Sequence, residues 1–273
     1  MKLLVVGNCQ VTPLANLLAR MISGLETTAK EVWKLTAQEC AAIDVSQFDV
    51  VVAQPLHSER YGAVSYKHLS QITSRTPVHF IHNLHFDGLS PDCTYLGPLG
   101  KRLSGPMGTY HSRTIVYSFK NGKSIDECVA FMRRGAGIRP QETWSASIAE
   151  LQKREAGVSV HFVTELISQV KERNSFHVFN HPRANLLARY AEKIATVAFG
   201  VTPSFQNSEL EDELAFAGSW PVFSYLSEAL GLDYAQEHFI IPRYSSSPVT
   251  PYEFVELCFE HYATIGADKL VRA

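Results

Sequence analysis

Leu3-Leu4-Val5-Val6-Gly7-Asn8-Cys9-Gln10 is the stretch that decides the fold. A short, unbroken apolar run that ends in a glycine turn reads as a strand covered on both faces. Behind the turn, Val11, Leu14, Leu17, Leu18 and Met21 recur at helical spacing, with Thr12-Pro13 in the form of an N-cap followed by proline. Strand, turn and helix together are the opening step of a parallel α/β sheet. Working outward, Val32–Leu35 reads as a second strand. Phe48–Ala53 is β-branched, bounded by Gln54-Pro55, and gives the strongest β signal in the chain. Tyr66–Ile72 reads as a helix and Val78–Ile81 as a further strand.

From about Gly97 the pattern becomes helical. Ser124-Ile125-Asp126-Glu127 has the form of a capping box that opens a helix through Arg134. Trp144, Ile148 and Leu151 mark a second helix, and Val160–Val170 a third. The α/β pattern then returns with Phe176–Phe179 as a strand and Pro182 opening a helix. Thr250-Pro251-Tyr252-Glu253 caps a last helix through His261. The expectation is a single α/β domain over 1–273: a flavodoxin-like parallel sheet flanked by helices, a helical insertion over 98–172, and a helical C-terminal part.

Bulk properties narrow the function classes. With 273 residues, 19% charged and a formal net charge of −2, the chain gives no global electrostatic case for binding nucleic acid. No apolar run approaches the roughly 18 residues of a membrane span. Met1–Val6 is too short for a signal-peptide core, so the expected compartment is the cytoplasm. The five cysteines, Cys9, Cys40, Cys93, Cys128 and Cys258, are scattered without C-x-x-C spacing. That pattern speaks against a disulfide framework and a structural zinc, and most of them read as buried thiols. His79, His82 and His85 alternate, placing His82 opposite the other two, yet no acidic partner spacing supports a metal. The expectation is no metal.

Polar groups gather where strands are expected to end: Asn8-Cys9-Gln10, Gln54, His82-Asn83 and Asn180-His181. In a parallel sheet these carboxyl ends share the edge where open α/β folds take ligands. Gly7 permits close backbone approach. Cys9 precedes a helix, whose positive end favours thiolate over thiol. His181, before Pro182, is placed to act as general base or as the imidazolium partner of Cys9. Asn8, Gln10, Gln54 and Asn83 are amides suited to an oxyanion. Each also has a plain structural reading as a buried thiol, a cap or a strand end.

At Gly7-Asn8-Cys9-Gln10 the chain resembles the WcbI-type polysaccharide-biosynthesis proteins, whose N-terminal signature is a strand followed by G-N-C-Q. The Gln54-Pro55, His82-Asn83 and Asn180-His181-Pro182 elements are similar as well. The resemblance implies a fold related to the SGNH hydrolases and binding of coenzyme A or its acyl thioester as co-substrate. It implies Cys9 in place of the SGNH serine, Asn83 matching the oxyanion Asn and His181 the base. Gln54 stands where Gly is usual, and Val178 where a triad would have Asp. Phosphates of coenzyme A need cations or helix ends, for which the candidates are Arg133-Arg134, followed by Gly135-Ala136-Gly137, and also Lys101-Arg102, Arg139 and Arg183. The implied activity is acetyl transfer from coenzyme A to a sugar hydroxyl in capsule or other polysaccharide assembly, with a sugar or polysaccharide precursor as partner. A homo-oligomer is compatible with this reading. Two alternatives stay open: a thiol-type SGNH-like esterase or thioesterase, and a non-catalytic module that binds coenzyme A or glycan.

Overall fold

The computed structural model describes residues 1–73, 75–203 and 210–271. In chain order its strands and α-helices are β1 (Lys2–Gly7), α1 (Val11–Met21), β2 (Glu26–Glu31), α2 (Ala37–Ala41), β3 (Val50–Ala53), α3 (Tyr66–Gln71) and β4 (Val78–Phe80). There follow β5 (Cys93–Thr94), β6 (His111–Ser112), α4 (Arg113–Lys120), α5 (Ile125–Arg134), α6 (Pro140–Glu155) and α7 (Val163–Glu172). The last are β7 (Phe176–Val178), β8 (His181–Pro182), α8 (Ala184–Phe199), α9 (Ser224–Leu230) and α10 (Pro251–Ile265). Residues Met1–Leu84, Ala149–Ile167 and Pro182–Leu214 gather into one compact unit. His85–Ile148, Ser168–His181 and the chain from Ala215 onward gather into a second, so the helical 98–172 stretch is divided between the two.

The first unit is built on a four-stranded sheet in the order β2-β1-β3-β4, all parallel. That is the α/β architecture expected, in the flavodoxin-like order, which reverses direction between β1 and β3. The reason lies in β1: Leu3, Leu4, Val5 and Val6 are fully buried, and only a central strand covered by helices hides every side chain. Leu4, Val6, Val51, Ala53, Leu69 and Phe80 form one core, each large side chain contributing roughly 1.5–3 kcal/mol on burial. Helix α1 lies against β2 and α8.

Several local expectations need correction. The second strand is Glu26-Thr27-Thr28-Ala29-Lys30-Glu31, a half-exposed edge strand, while Val32–Lys34 is a 3₁₀ turn beyond it. An edge strand solvated on one side carries polar residues and so lacks the apolar run that marks β1. Helix α1 starts at Val11 behind Gln10, and Thr12 does not cap it but donates its hydroxyl to Glu31 Oε1 at 2.7 Å. Proline at position 13 is tolerated because the first turn of a helix needs no N–H partner. Strand β4 ends at Phe80, so His82 and His85 lie beyond it and share no strand face with His79.

Strand β7 brings the largest correction. It does not join the parallel sheet but pairs with β8 in a separate two-stranded ribbon. The expected fourth strand end therefore does not belong to the ligand edge of the parallel sheet. Pro182 lies in β8 and does not open the next helix, which begins at Ala184 behind Arg183.

In the second unit Met107, Tyr110, Ile115, Phe239, Phe254 and Tyr262 are among the core residues, with Phe239 and Phe254 stacked at 3.9 Å between ring centroids. The two capping boxes read in the sequence are present, at Ser124–Glu127 and Thr250–Glu253. Cys93, Cys128 and Cys258 are buried in this unit and Cys40 in the first, all as free thiols. No described helix is long and apolar enough to cross a membrane.

Candidate functional site

The site begins at the carboxyl ends of β1 and β3, where strand order reverses and open α/β sheets form a crevice. Val6 pairs with Ala53, so Gly7 and Gln54 leave the sheet side by side. A Cβ on Gly7 would stand 2.6 Å from the Gln54 side chain, and glycine is what lets that amide lie across the strand end. Gln54 Oε1 accepts the backbone N–H of Asn8 at 3.0 Å, and its Nε2 donates to Asn8 Oδ1 at 3.2 Å. Asn8 Oδ1 also accepts the N–H of Gln10 at 3.0 Å, closing an Asx turn around Cys9. Asn8 Nδ2 makes no hydrogen bond among the described residues.

Gln10, fully buried, is spent on the backbone of Leu84. Its Nε2 donates to the carbonyl at 2.7 Å and its Oε1 accepts the N–H at 2.9 Å. It is a strut that ties the turn to the segment after β4.

Cys9 is half-buried, and its thiol is pushed up to about 11. Burial is the main cause and the Glu31 carboxylate the second; its own backbone N–H and Lys34 pull the other way without prevailing. Burial and the Glu31 carboxylate thus favour a neutral thiol here over the expected helix-end thiolate. Glu31 is held by Thr12, by Trp33 Nε1 at 3.0 Å and by Lys34 Nζ at 2.8 Å.

Beyond β4, the His82 ring is buried and its pKa is lowered, chiefly by desolvation. Its Nδ1 lies 3.3 Å from the Asn83 carbonyl, an obligate acceptor, so the neutral ring carries its proton there. Nε2 has no hydrogen bond among the described residues and faces Glu155 Oε1 at 3.7 Å. That carboxylate is fixed by the N–H groups of Phe162 and Val163. Tyr190 donates to the His82 carbonyl at 2.9 Å and sets its ring 5.6 Å from the imidazole. Asn83 Oδ1 accepts from Arg154 at 3.3 Å. A cavity of about 530 Å³ opens here, lined by Asn8, Gln54, His82, Asn83, Lys153 and Arg154 among others.

Within the first unit the structure therefore brings together Gly7, Asn8 and Gln54, and lines one cavity with Asn8, Gln54, His82 and Asn83. Arg183 belongs to this unit as the half-buried residue preceding α8. The second unit holds His181, Arg133 and Arg134. His181 is buried against Tyr110 and Phe216, its pKa lowered to about 4 by burial and by His177. Of the two roles expected of it, the neutral ring fits the general base and not the imidazolium partner. Arg133 and Arg134 are exposed at the end of α5, where Gly135 takes a φ of 61°. A cavity of about 410 Å³ is lined by Phe131, Gly137 and Arg113 and not by the two arginines. Arg102 stacks over Tyr95 at 3.3 Å and Arg139 pairs with Glu142 at 3.2 Å, which gives each a structural partner.

Sequence reasoning missed Glu31, Trp33, Lys153 and Glu155. Lys153-Arg154-Glu155 carries no motif, and only the fold reveals that Glu155 turns toward His82. Among the described residues no cluster of three or more metal-ligating side chains is present.

The model of the polysaccharide biosynthesis enzyme WcbI matches residues 2–204. The chain belongs to the WcbI family. The matched range takes in the Cys9 turn, Gln54, His82-Asn83, Glu155 and His181. A solved WcbI structure, described as a novel polysaccharide biosynthesis enzyme in native form without a disulfide bond between coenzyme A and a cysteine, is similar with a TM-score of 0.77. Identity is 16%, with 98% of this chain and 92% of that one covered, so the likeness speaks for a shared fold. No curated protein matches the chain.

Proposed function

We propose that this WcbI-family chain transfers an acyl group from a coenzyme A thioester to a sugar hydroxyl of a polysaccharide precursor. The observation that carries the reading is the Asn8–Gln54 amide bridge, which holds the Cys9 turn open at the point where the sheet reverses. The description of the similar structure names coenzyme A and a cysteine of that protein together, which supports coenzyme A as the carrier. The first-unit cavity fits an anionic acyl carrier: its volume is within the range of small-molecule sites, and Lys153 and Arg154 supply positive charge. These two cations are better placed there than the exposed Arg133 and Arg134.

The neutral Cys9 thiol favours direct transfer over an acylated cysteine. In the direct route a neutral imidazole takes the proton of the acceptor hydroxyl as its oxygen attacks the thioester carbonyl. Within the first unit His82 Nε2 is that base, and Glu155 stabilises the imidazolium that forms. Asn8 Nδ2 and the Cys9 N–H meet the developing oxyanion. The same proton then passes to the departing coenzyme thiolate, so the imidazole ends neutral. His181, the other neutral imidazole, is the alternative base.

Acetyl transfer from acetyl-CoA to a saccharide panel tests this. His82→Gln is expected to lower turnover about 100-fold, with Cys9→Ala within several-fold of the parent. Loss in His181→Gln with an active His82→Gln reassigns the base. A burst of acyl-protein thioester that vanishes in Cys9→Ala replaces direct transfer with the covalent route. Hydrolysis without any transfer, or binding without turnover, overturns the acyltransferase reading.

A further inference from the structure

Gly7 and Glu31 are partners in the β1–β2 register, and adjacent strands lie about 4.8 Å apart. Both strands end at that pair, and the chain continues two residues on to Cys9 in the turn after β1 and to Trp33 in the 3₁₀ turn after β2, at the same edge of the sheet. Trp33 is 62% exposed, whereas Trp144 and Trp220 are 9% and 3% exposed. Trp33 is thus the tryptophan whose ring a ligand at this edge of the sheet can reach.

The ring is also held in place. Its Nε1–H donates to Glu31 Oε2 at 3.0 Å, and Lys34, on the same carboxylate, stands over the ring at 5.1 Å from its centroid. The other oxygen of Glu31 is anchored by Thr12 in the first turn of α1. Glu31 and Lys34 are also the two charged groups that act on the Cys9 thiol. One carboxylate thus fixes the tryptophan ring and reaches the field of the cysteine.

We propose that Trp33 is the stacking platform for a sugar ring of the acyl acceptor, resting on the acyl-transfer reading above for the identity of that acceptor. A pyranose has an apolar face of C–H groups and a rim of hydroxyls. A flat, immobilised indole offers a ring face to the C–H groups, and the carboxylate at its N–H edge and the ammonium over its ring offer charged partners to the hydroxyls. An apolar protein segment matches only the ring and leaves the charged border unsatisfied. Pre-fixing the ring lowers the entropy lost on binding.

The experiment uses the intrinsic fluorescence of the whole chain, since the other two tryptophans are buried and acrylamide reaches Trp33 first. Methyl hexopyranosides and short hexose oligosaccharides are the probes. They are expected to shift the emission and protect it from acrylamide; in Trp33→Ala both responses disappear. In transfer assays Trp33→Ala is expected to raise the acceptor KM about ten-fold with kcat within about two-fold, and Trp33→Phe to recover most of the loss. Protection by coenzyme A or adenosine but not by saccharides overturns the proposal in favour of an adenine platform. An unchanged acceptor KM in Trp33→Ala, with no saccharide protection, overturns it outright. Saccharide protection in a chain that transfers no acyl group to any sugar leaves the platform standing and removes the acyl-transfer reading.

Discussion

The turn after β1 and the turn after β7 look alike in sequence and differ in what surrounds them. Asn8-Cys9-Gln10 and Asn180-His181 each follow a short apolar strand with an amide and a titratable group. The first lies at the reversal point of a parallel sheet, where Gln10 binds the backbone of Leu84 beyond β4 and Gln54 at the next strand end binds the backbone of Asn8. The second closes a two-stranded ribbon. There Asn180 accepts from Tyr110 at 2.8 Å and donates to Tyr95 at 3.1 Å, binding hydroxyls on an aromatic cluster. Both turns hold their titratable group neutral through burial, Cys9 near 11 and His181 near 4. The lesson is that a polar strand end marks a place where backbone leaves a sheet, while the pairing partner decides what that place is for.

Amide loss is expected to separate the turns most sharply. Gln10→Leu strands the N–H and C=O of Leu84 in a buried setting, at roughly 1–3 kcal/mol for each group. Asn180→Leu takes a partner from the hydroxyls of buried Tyr110 and half-buried Tyr95, at about 1–2 kcal/mol in total. Urea unfolding of the two variants checks the order. Equal losses mean that the turns are held alike and the contrast fails.

The next effect is pH. An imidazole held below its ordinary 6.5 takes up its proton more readily in the unfolded chain. The stability His181 contributes is therefore complete above pH 6.5, falls as the pH drops, and is fully lost below about 4. At about 1.4 kcal/mol per pH unit the window is worth up to about 3 kcal/mol. His181→Phe is expected to flatten the fall in Tm between pH 6.5 and 4.5, with the other lowered histidines, His79, His82 and His111, common to both proteins. Parallel curves for parent and variant would mean that His181 takes up its proton as readily in the fold as in the unfolded chain.

These contrasts also mark how far the sequence could be read. Strands β1 and β3 and both capping boxes are local signals: an apolar run or a four-residue spacing carries them whole. Strand β2 is a polar edge strand, Glu26–Glu31, so its apolar neighbour Val32 drew the assignment away. The pairing of β7 is invisible locally, because three buried residues fit a parallel sheet and a ribbon equally well. The site was legible at Cys9, Asn8, Gln54 and Asn83, where polar residues interrupt apolar runs. It was hidden at Glu155, which meets His82 across 73 positions of chain, and the exposure of Trp33, on which the proposed platform rests, is encoded by no spacing. Nor does sequence weigh desolvation against a helix end, and the state of Cys9 turns on that balance.

That balance supplies the smallest and most direct prediction. Cys40, Cys93, Cys128 and Cys258 are buried, so iodoacetamide labels Cys9 first. With a thiol near 11, labelling is expected to rise about ten-fold per pH unit from 7 and to level off only near 11. Glu31→Gln removes the second of the two causes that raise the thiol and leaves the first, burial, in place. The midpoint then falls by less than about one pH unit, and labelling at pH 8 quickens about two- to five-fold. A midpoint near 8 in the parent chain would mean that the end of α1 outweighs burial. Cys9 would then be a ready thiolate, and direct transfer would lose its advantage over an acylated cysteine. An unchanged rate in Glu31→Gln would show instead that burial alone sets the thiol, and that the carboxylate next to β1 serves only to hold Trp33.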